Sequence, residues 1–600
     1  MTWILEQENP NARERHREPD SQEPHTSVSP SWRAFAIEVF VILLSPVAAW
    51  LLLGITLINQ DGYVDPWFYT GYGRAFTTLY ALFGWPYYVV RFPVVILNEA
   101  FSWSHPVLGF GVLRYLLLLA CGIPLYRWAR TTFGRSVALP SYLFLFCCPL
   151  LPRILLWDLT TFVSVPMALA GMGLWLVDES RTGRLLSGIC MTAAVAAHAF
   201  TGTAVGIFVL VQVVRRVRAG QYRQLVVSDI CMTAFGAITC LIIGWGYYRY
   251  RIGPFDPTIF FSTTAGAAAS GNAYAGSHAT PFIAWAATQQ HVYIPVLCVA
   301  LGGILLGRSV LENTAKSSIW WFGLLYLAAY ATYQFVFGRF VLETFYYFAH
   351  LTITIFLLVP IIIGELFKDT PPSMKWRACA VTVAGLLALP VYNHIALSQW
   401  DVVLHAFYGS LTALAVLLIG AAIVGLFSIS LRRRPLGGAF CAASFMVMVQ
   451  LLAFVSPSQR SVFDSRRAAR ETGVYLATLD MLSVFSQYTY PSGHVMLWFC
   501  PSQTSLLSVA SSVLLYTVHN SFSGTDEACV GTIGSSERSR LQSRPVRYIL
   551  MLDQTGVPFD TWDTSLRHEG YAPYEVLSKT IGDRAYSTKL RLVALDRAPQ

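Results

Sequence analysis

The sequence predicts a multi-pass α-helical membrane protein, with about 13 transmembrane helices and a soluble C-terminal α/β domain. Three observations predict it. The 600 residues are 55% apolar and only 12% charged, about half the roughly 25% of charged residues in a soluble domain. Apolar runs long enough for roughly 30 Å of hydrocarbon, at about 1.5 Å per helical residue, recur up to about residue 455. Beyond about residue 457 the composition becomes that of a water-soluble domain. The same figures exclude a purely soluble multidomain protein, a disordered chain, a coiled coil, a collagen and a disulfide-stapled miniprotein.

Residues 1–32 are polar, contain Pro and are rich in Arg and Glu, without apolar periodicity. They read as a disordered cytoplasmic tail and not as a signal peptide. The transmembrane domain follows over 33–456. Its first span is expected near 36–58, and further apolar runs lie near 107–126, 136–151, 159–177, 184–198, 200–214, 227–248, 291–307, 319–337, 344–364, 377–392, 405–429 and 436–455.

Charge orients these spans. With the N-terminus inside, alternate loops hold 17 Lys and Arg against 6 in the opposite set. The inner loops are also the shorter ones, as the positive-inside rule expects. The 17 include Arg181, Arg184, Arg215, Arg216 and Arg432 to Arg434; the 6 are Arg74, Arg91, Arg153, Arg249, Arg251 and Arg339. Everything after 456 is therefore expected outside.

Two outer segments exceed simple connectors. Residues 59–106 are rich in Pro, Trp and Tyr and suit the headgroup level of a membrane. Residues 249–290 carry a small-residue stretch (TTAGAAASGNAYAGSHAT), which reads as a substrate lid or a flexible linker.

The domain over 457–600 opens on a helical stretch (FDSRRAARETGVYLATLDMLSVF). Short apolar runs follow at 494–500, 546–553 and 589–595, separated by helical candidates, the pattern of a small α/β domain. The run from 494 is too rich in Ser, Thr and Gln for another span. Trp498, Tyr516, Trp562 and Tyr571 read as core aromatics in preference to sugar-stacking ones.

Absences narrow the chemistry. The 11 cysteines form no CxxC pair and no zinc spacing. Cys500 and Cys529 lie in the polar tail and can pair there in an oxidising compartment. No Walker lysine loop, HExxH or GxSxG occurs, so nucleotide hydrolysis, zinc proteolysis and serine esterase chemistry find no support. No basic, aromatic-interleaved tract points to nucleic acid.

The first outer loop carries the chemistry-bearing residues. Asp61 and Asp65 stand just beyond the first span among Tyr63, Trp67, Phe68 and Tyr69. A carboxylate at the edge of hydrocarbon is partly desolvated and so a better proton acceptor; as Asp-Gly and Asp-Pro pairs, both also suit turns. Arg91 follows Tyr87 and Tyr88 in a stretch that reads as buried or interfacial. Its guanidinium suits a lipid phosphate, or snorkels to bulk headgroups. Arg153 and Asp158 bracket an outer turn, and Arg339 and Glu343 another, with His350 two turns on. Charges at membrane depth default to functional candidates, although each pair also reads as an ion pair closing its turn. His198, among small residues, reads as a packed core histidine.

This layout resembles the GT-C glycosyltransferases, which include protein mannosyltransferases, aminoarabinose transferases, oligosaccharyltransferases and arabinosyltransferases. Asp61-Gly62-Tyr63 resembles the acidic-Gly-aromatic first-loop motif of the arabinosyltransferases. Asp65-Pro66-Trp67-Phe68-Tyr69, with Tyr87-Tyr88 and Arg91-Phe92-Pro93, resembles the first-loop block of bacterial members acting on cell-surface glycans. The resemblance covers about 450 residues by topology and about 35 by motif.

The resemblance implies a GT-C-like fold and a hexosyl- or pentosyltransferase using a polyprenyl-phosphate sugar donor, with inversion. The acceptor would be a cell-envelope glycan, lipid or protein. It further implies Asp65 as first choice and Asp61 as second choice for the base that deprotonates the acceptor hydroxyl. Arg91 and Arg339 would bind the donor phosphate, and Tyr69, Tyr88, Asp158, Glu343 and His350 would line the substrate site. No cofactor is required, while two neighbouring acids permit a divalent cation. A bacterial inner membrane, with site and C-terminal domain facing the periplasm, follows from the same resemblance. The alternative is a transporter or lipid-linked-glycan flippase, which explains the spans but leaves the acidic loop and soluble domain without a task. A glycan polymerase or ligase fits less well, because the largest outer piece is terminal.

Overall fold

A computed structural model describes residues 32–53, 76, 90–102, 106–156, 160–254, 256–259, 262–263, 266, 289–338, 341–343, 345–395, 420, 434, 436–454, 465–488, 495–499, 522–524, 527–543, 546–552, 558–584 and 586–597. The chain divides into units 1–45 and 46–600. Helix α1 (Trp32–Leu52) runs across that boundary and holds Pro46 in its interior.

Apolar runs become helices: α2 (Phe92–Ser102), α3 (Pro106–Phe133), α4 (Arg135–Cys147), α5 (Leu150–Leu156), α6 (Thr161–Val177), α7 (Arg181–Ala197), α8 (Thr201–Arg218), α9 (Cys231–Ile252), α10 (Tyr293–Leu306), α11 (Ala315–Ala331), α12 (Phe345–Leu366), α13 (Lys375–Ile395) and α14 (Gly437–Phe454). Their ends follow local chemistry. Pro106 opens α3, where its missing N–H costs nothing. Gly134 at φ 93° lets the chain turn out of α3 and into α4. The Ser180 hydroxyl caps α7 by accepting the Gly183 N–H at 3.0 Å. Thr314 and Ser317 make a reciprocal capping box on α11. Basic Arg215, Arg216 and Arg218 close α8, against the negative end of its dipole.

Six helices among the described residues are long and apolar enough to cross a membrane. Helices α4, α6 and α7 have 13, 17 and 17 residues, shorter than the roughly 20 that a full crossing needs. The run at 405–429 lies outside the described residues except for Gly420. The structure thus bears out a multi-pass helical protein without establishing 13 spans.

Glycine lets α7 and α9 pair closely. A Cβ on Gly188 of α7 would stand 2.2 Å from the Thr233 carbonyl oxygen, and one on Gly236 of α9 equally close to that of Leu185. Only glycine permits such backbone approach, the close-packing device of membrane helices. Helix α12 is buried on nearly every face, whereas the helical stretch ending in α9 is largely exposed, although the two are equally hydropathic.

Within the first outer segment, α2 buries Val94 and Val95 while Ala100 is exposed. Phe92 presses against Gly244 of α9, where a Cβ would meet its ring at 2.7 Å. Glu99 accepts hydrogen bonds from the Tyr247 hydroxyl and the Arg251 guanidinium. Together these contacts fasten α2 to the end of α9.

The C-terminal region is an α/β unit. Helix α15 (Ser465–Tyr488) leads into β1 (Val495–Phe499) and β2 (Phe522–Gly524); α16 (Ser535–Ser543), β3 (Tyr548–Leu552), α17 (Phe559–His568), β4 (Tyr571–Gly582) and β5 (Ser587–Arg597) follow. The sheet order is β2-β1-β3-β5-β4. Strand β1 runs parallel to β2 and β3, and β5 antiparallel to β3 and β4. Val495, Leu497, Leu550 and Leu552 pack on α15 through Val474, Ala477 and Met481. Met496, Trp498, Ile549 and Met551 pack on the other face with Leu541, Trp562 and Leu566. Both faces are covered, so β1 reads as a continuous apolar run. The Trp498 and Trp562 rings, 4.5 Å apart, belong to this core, as expected, and Tyr571 packs against it. Cys529 is disulfide-bonded, Cys500 lies outside the described residues, and the nine other cysteines are free thiols.

Candidate active site

Three buried arginines lie on α5 or bond to its last turn and to the residue before α6. Arg153 stands on α5, and Arg114 on α3 is fully buried. Arg114 Nε donates to the Leu155 carbonyl at 2.7 Å and Nη1 to that of Phe110 at 3.3 Å. Its guanidinium also lies over the Phe110 and Phe162 rings, at 4.9 and 5.6 Å. Arg91, immediately before α2, donates through Nη1 to Thr160 Oγ1 at 3.5 Å. Burying a guanidinium is costly, and Arg114 and Arg91, bonded to the end of α5 and to the residue before α6, form a cationic wall there, with Arg153 on α5 itself.

Polar side chains extend from that wall. Thr160 Oγ1 lies 3.3 Å from the Tyr346 hydroxyl at the start of α12. The Tyr346 ring meets that of His198 edge-on at 4.9 Å. His198, in the α7–α8 connection, stacks on His350 of α12 with centroids 4.3 Å apart and planes inclined by 36°. Ser164 of α6 and His350 Nε2 lie 3.2 Å apart, and His350 Nδ1 is 3.3 Å from the Tyr347 carbonyl. A carbonyl only accepts, so Nδ1 carries the proton and Nε2 accepts the Ser164 O–H. Tyr330 also donates to that carbonyl, at 2.9 Å. Helices α6, α7, α8 and α12 thus meet through hydrogen-bonding groups at one end.

The opposite ends of α7 and α8 hold a second buried charge cluster. Arg184 and Arg216 both donate to Asp229, at 2.6 and 3.0 Å, and Arg216 reaches Glu179 at 2.8 Å. Arg184 and His198 are separated along α7 by about 21 Å at 1.5 Å per residue. The cluster at Asp229 is closed on itself by opposite charges, and the one at Thr160 includes a guanidinium, hydroxyls and imidazoles.

Of the expected site residues, Arg91 and His350 are brought into one network. Arg91 is buried and donates to Thr160. Glu343 accepts from Gln334 Nε2 at 2.7 Å, and Gln334 Oε1 takes the Leu342 N–H at 3.0 Å, which closes that turn. Asp61, Asp65, Tyr69, Tyr88, Asp158 and Arg339 lie outside the described residues. Among the described residues no three His, Cys, Asp or Glu side chains stand together as a metal site would.

No family model matches the chain, and no curated protein matches it. Among solved structures it is similar to ArnT from Cupriavidus metallidurans in the apo state, at 15% identity and TM-score 0.45, over 94% of this chain and all of that one. The same protein bound to undecaprenyl phosphate gives 15% identity and TM-score 0.46 over the same shares. The apo oligosaccharyltransferase of Archaeoglobus fulgidus gives 11% identity and TM-score 0.40, over 87% of this chain and 70% of that one.

Sequence reasoning did not single out Arg114, Thr160, Ser164 or Tyr346; His198 is buried, as expected, and packs on His350. A signal existed for Arg114, a lone cation within an apolar run, which the cost of burial marks as a candidate. None existed for the packing of His198 on His350, because that partner lies on a helix remote in sequence. Chemically, the cluster offers fixed positive charge and hydrogen-bond donors in a site poor in water. Such groups stabilise a developing or departing anion without reorganising.

Proposed function

We propose that this protein is an inverting glycosyltransferase of the GT-C type, taking its sugar from a polyprenyl-phosphate donor. The observation that carries the reading is the wall of Arg91 and Arg114 at the end of α5 and the residue before α6, with Arg153 on α5, in a multi-pass helical protein. A phosphate on a lipid chain stays at the membrane boundary, where charged side chains at the end of a helix bundle can meet it. In this reading the acceptor oxygen attacks the anomeric carbon, and the bond from that carbon to the phosphate oxygen breaks. The electron pair leaves on the phosphate, which Arg91 and its neighbours stabilise, with Arg339 as a further candidate. The acceptor proton passes to Asp65, or to Asp61 as second choice. Tyr69, Tyr88, Asp158 and Glu343 are assigned to the substrate side, and a divalent cation at the two aspartates is not required.

The acceptor is proposed to be a cell-envelope glycan, lipid or protein, and the sugar a hexose or pentose. The site and the C-terminal domain are placed outside a bacterial inner membrane. Two observations support that side: the excess of positive charge in the alternate loops and the disulfide at Cys529, a bond that persists in oxidising compartments.

Mass spectrometry of co-purifying lipids tests the proposal, with wild type beside Arg91→Ala and Asp65→Asn. A polyprenyl phosphate or its sugar ester should stay with wild type and Asp65→Asn and be lost from Arg91→Ala. Bulk phospholipid alone in all three would shift the weight to a transporter.

A further inference from the structure

His198 holds an unused donor. Its Nδ1 accepts the backbone N–H of Phe200 at 3.2 Å, and a backbone N–H only donates, so the neutral ring carries its proton on Nε2. That Nε2–H meets no acceptor among the described residues, and it is not one of the fully buried unpaired atoms although the residue is only 4% exposed, so a ligand can reach it. A donor left without a protein partner beside a cationic wall has a use if an anion completes it. His350 differs: both its nitrogens are engaged, with Ser164 and Tyr347, so it has little left to offer a ligand. Its ring instead forms one side of the slot that holds His198, with Tyr346 and Phe200 around the rest, the latter at 5.8 Å.

We propose that His198 is a phosphate-binding residue, offering its Nε2–H to a phosphate oxygen next to Arg91, and that His350 is its positioning residue. This rests on the transferase reading above and adds to it a neutral donor with a fixed tautomer. The Arg91–Thr160–Tyr346 string places the ring beside the cationic wall. The Phe200 N–H then fixes which nitrogen faces the ligand. A neutral donor complements the arginines, because it adds direction without adding a further buried charge.

The test is titration of undecaprenyl phosphate onto the purified full-length protein in detergent, read by native mass spectrometry, with thermal melting as the check on folding. His198→Phe keeps the stacked ring and loses the donor, and should weaken binding about tenfold or more, the scale of one hydrogen bond to a charged group. His198→Gln carries an amide N–H to the Nε2 position and should recover most of the loss; His198→Asn, too short to reach, should not. His350→Gln, able to keep the Ser164 bond, should bind better than His350→Phe. If wild type does not bind undecaprenyl phosphate, the transferase reading fails and this assignment with it. If wild type binds and folded His198→Phe or His198→Asn binds equally well, the His198 assignment alone is overturned.

Discussion

Arg184 and Asp229 form an ion pair 2.6 Å long in which both side chains are fully buried. The other Asp229 oxygen takes Arg216, so one carboxylate neutralises two guanidinium groups and ties α7 and α8 to the π-helical turn Leu225–Ile230 before α9. Asp229→Asn would leave both cations on a neutral amide. Breaking a buried pair from one side costs roughly 3–5 kcal/mol, and the variant should melt far below wild type. Glu179→Gln, at the exposed rim, should cost about 1 kcal/mol or less. Equal losses from the two would refute the buried role of Asp229.

Arg114→Met separates cation from packing. Methionine fills much of the volume but cannot reach the Leu155 carbonyl or supply charge. Transfer should fall by about a hundredfold to a thousandfold, as removal of one stabilising donor does, with a smaller change in melting temperature than Asp229→Asn shows. A steady-state assay with a polyprenyl-phospho-sugar beside a melting curve decides it. Undiminished turnover would remove Arg114 from the site.

Helix pairing gives a steric prediction. Gly188→Leu drives a side chain into the Thr233 carbonyl of α9, and backbone cannot yield as a flexible side chain does. The variant should lose at least about 1–3 kcal/mol, the usual scale of overpacking. Gly206→Leu on α8, where a Cβ meets nothing within 4 Å, should be nearly silent. Matching melts for the two would show that α7 and α9 do not approach as described.

The C-terminal unit gives a pH prediction. Arg538 holds Glu569 through two hydrogen bonds, at 2.6 and 2.8 Å, and these hold the carboxyl below its usual range. A depressed carboxylate stabilises the fold above its unfolded-state value, near 4.5, and loses that contribution as pH falls through the lower folded value. Thermal melts of wild type should therefore converge on those of Glu569→Gln as pH drops below about 4. A constant gap between them would deny the pair any role. Its partner Arg538 is about half exposed, so the effect should be small.

Much of the fold was legible because its elements follow from composition and period. Apolar runs gave helices within a few residues of the expected bounds, and the run at 494–500 proved to be a strand covered on both faces. The aspect that hydropathy cannot encode is which side of a helix faces protein, as in α2, which buries Val94 and Val95 while Ala100 is exposed. The site was half legible. Arg91 and His350 stood out as polar groups at membrane depth, but the His198–His350 stack joins positions remote in the chain, and no local pattern announces such a meeting. Asp61 and Asp65 lie outside the described residues, so the base remains an expectation from motif.

Helix α12 and the stretch ending in α9 are alike in hydropathy and opposite in surroundings. In hydrocarbon an apolar side chain gains little by exchanging lipid for protein, so greasiness inserts both helices and sorts neither. Sorting falls to discrete fittings: Gly323 of α11 against Thr354 and Leu358, the Trp320 indole on the Val299 carbonyl, Ser164 on His350. These act as the wards of a lock and tolerate few cuts. The outward residues Phe235, Ile238, Ile242 and Ile243 are the blank of the key, open to exchange for any other apolar side chain. Over generations the sequence around α12 should hold still while the face of α9 wanders.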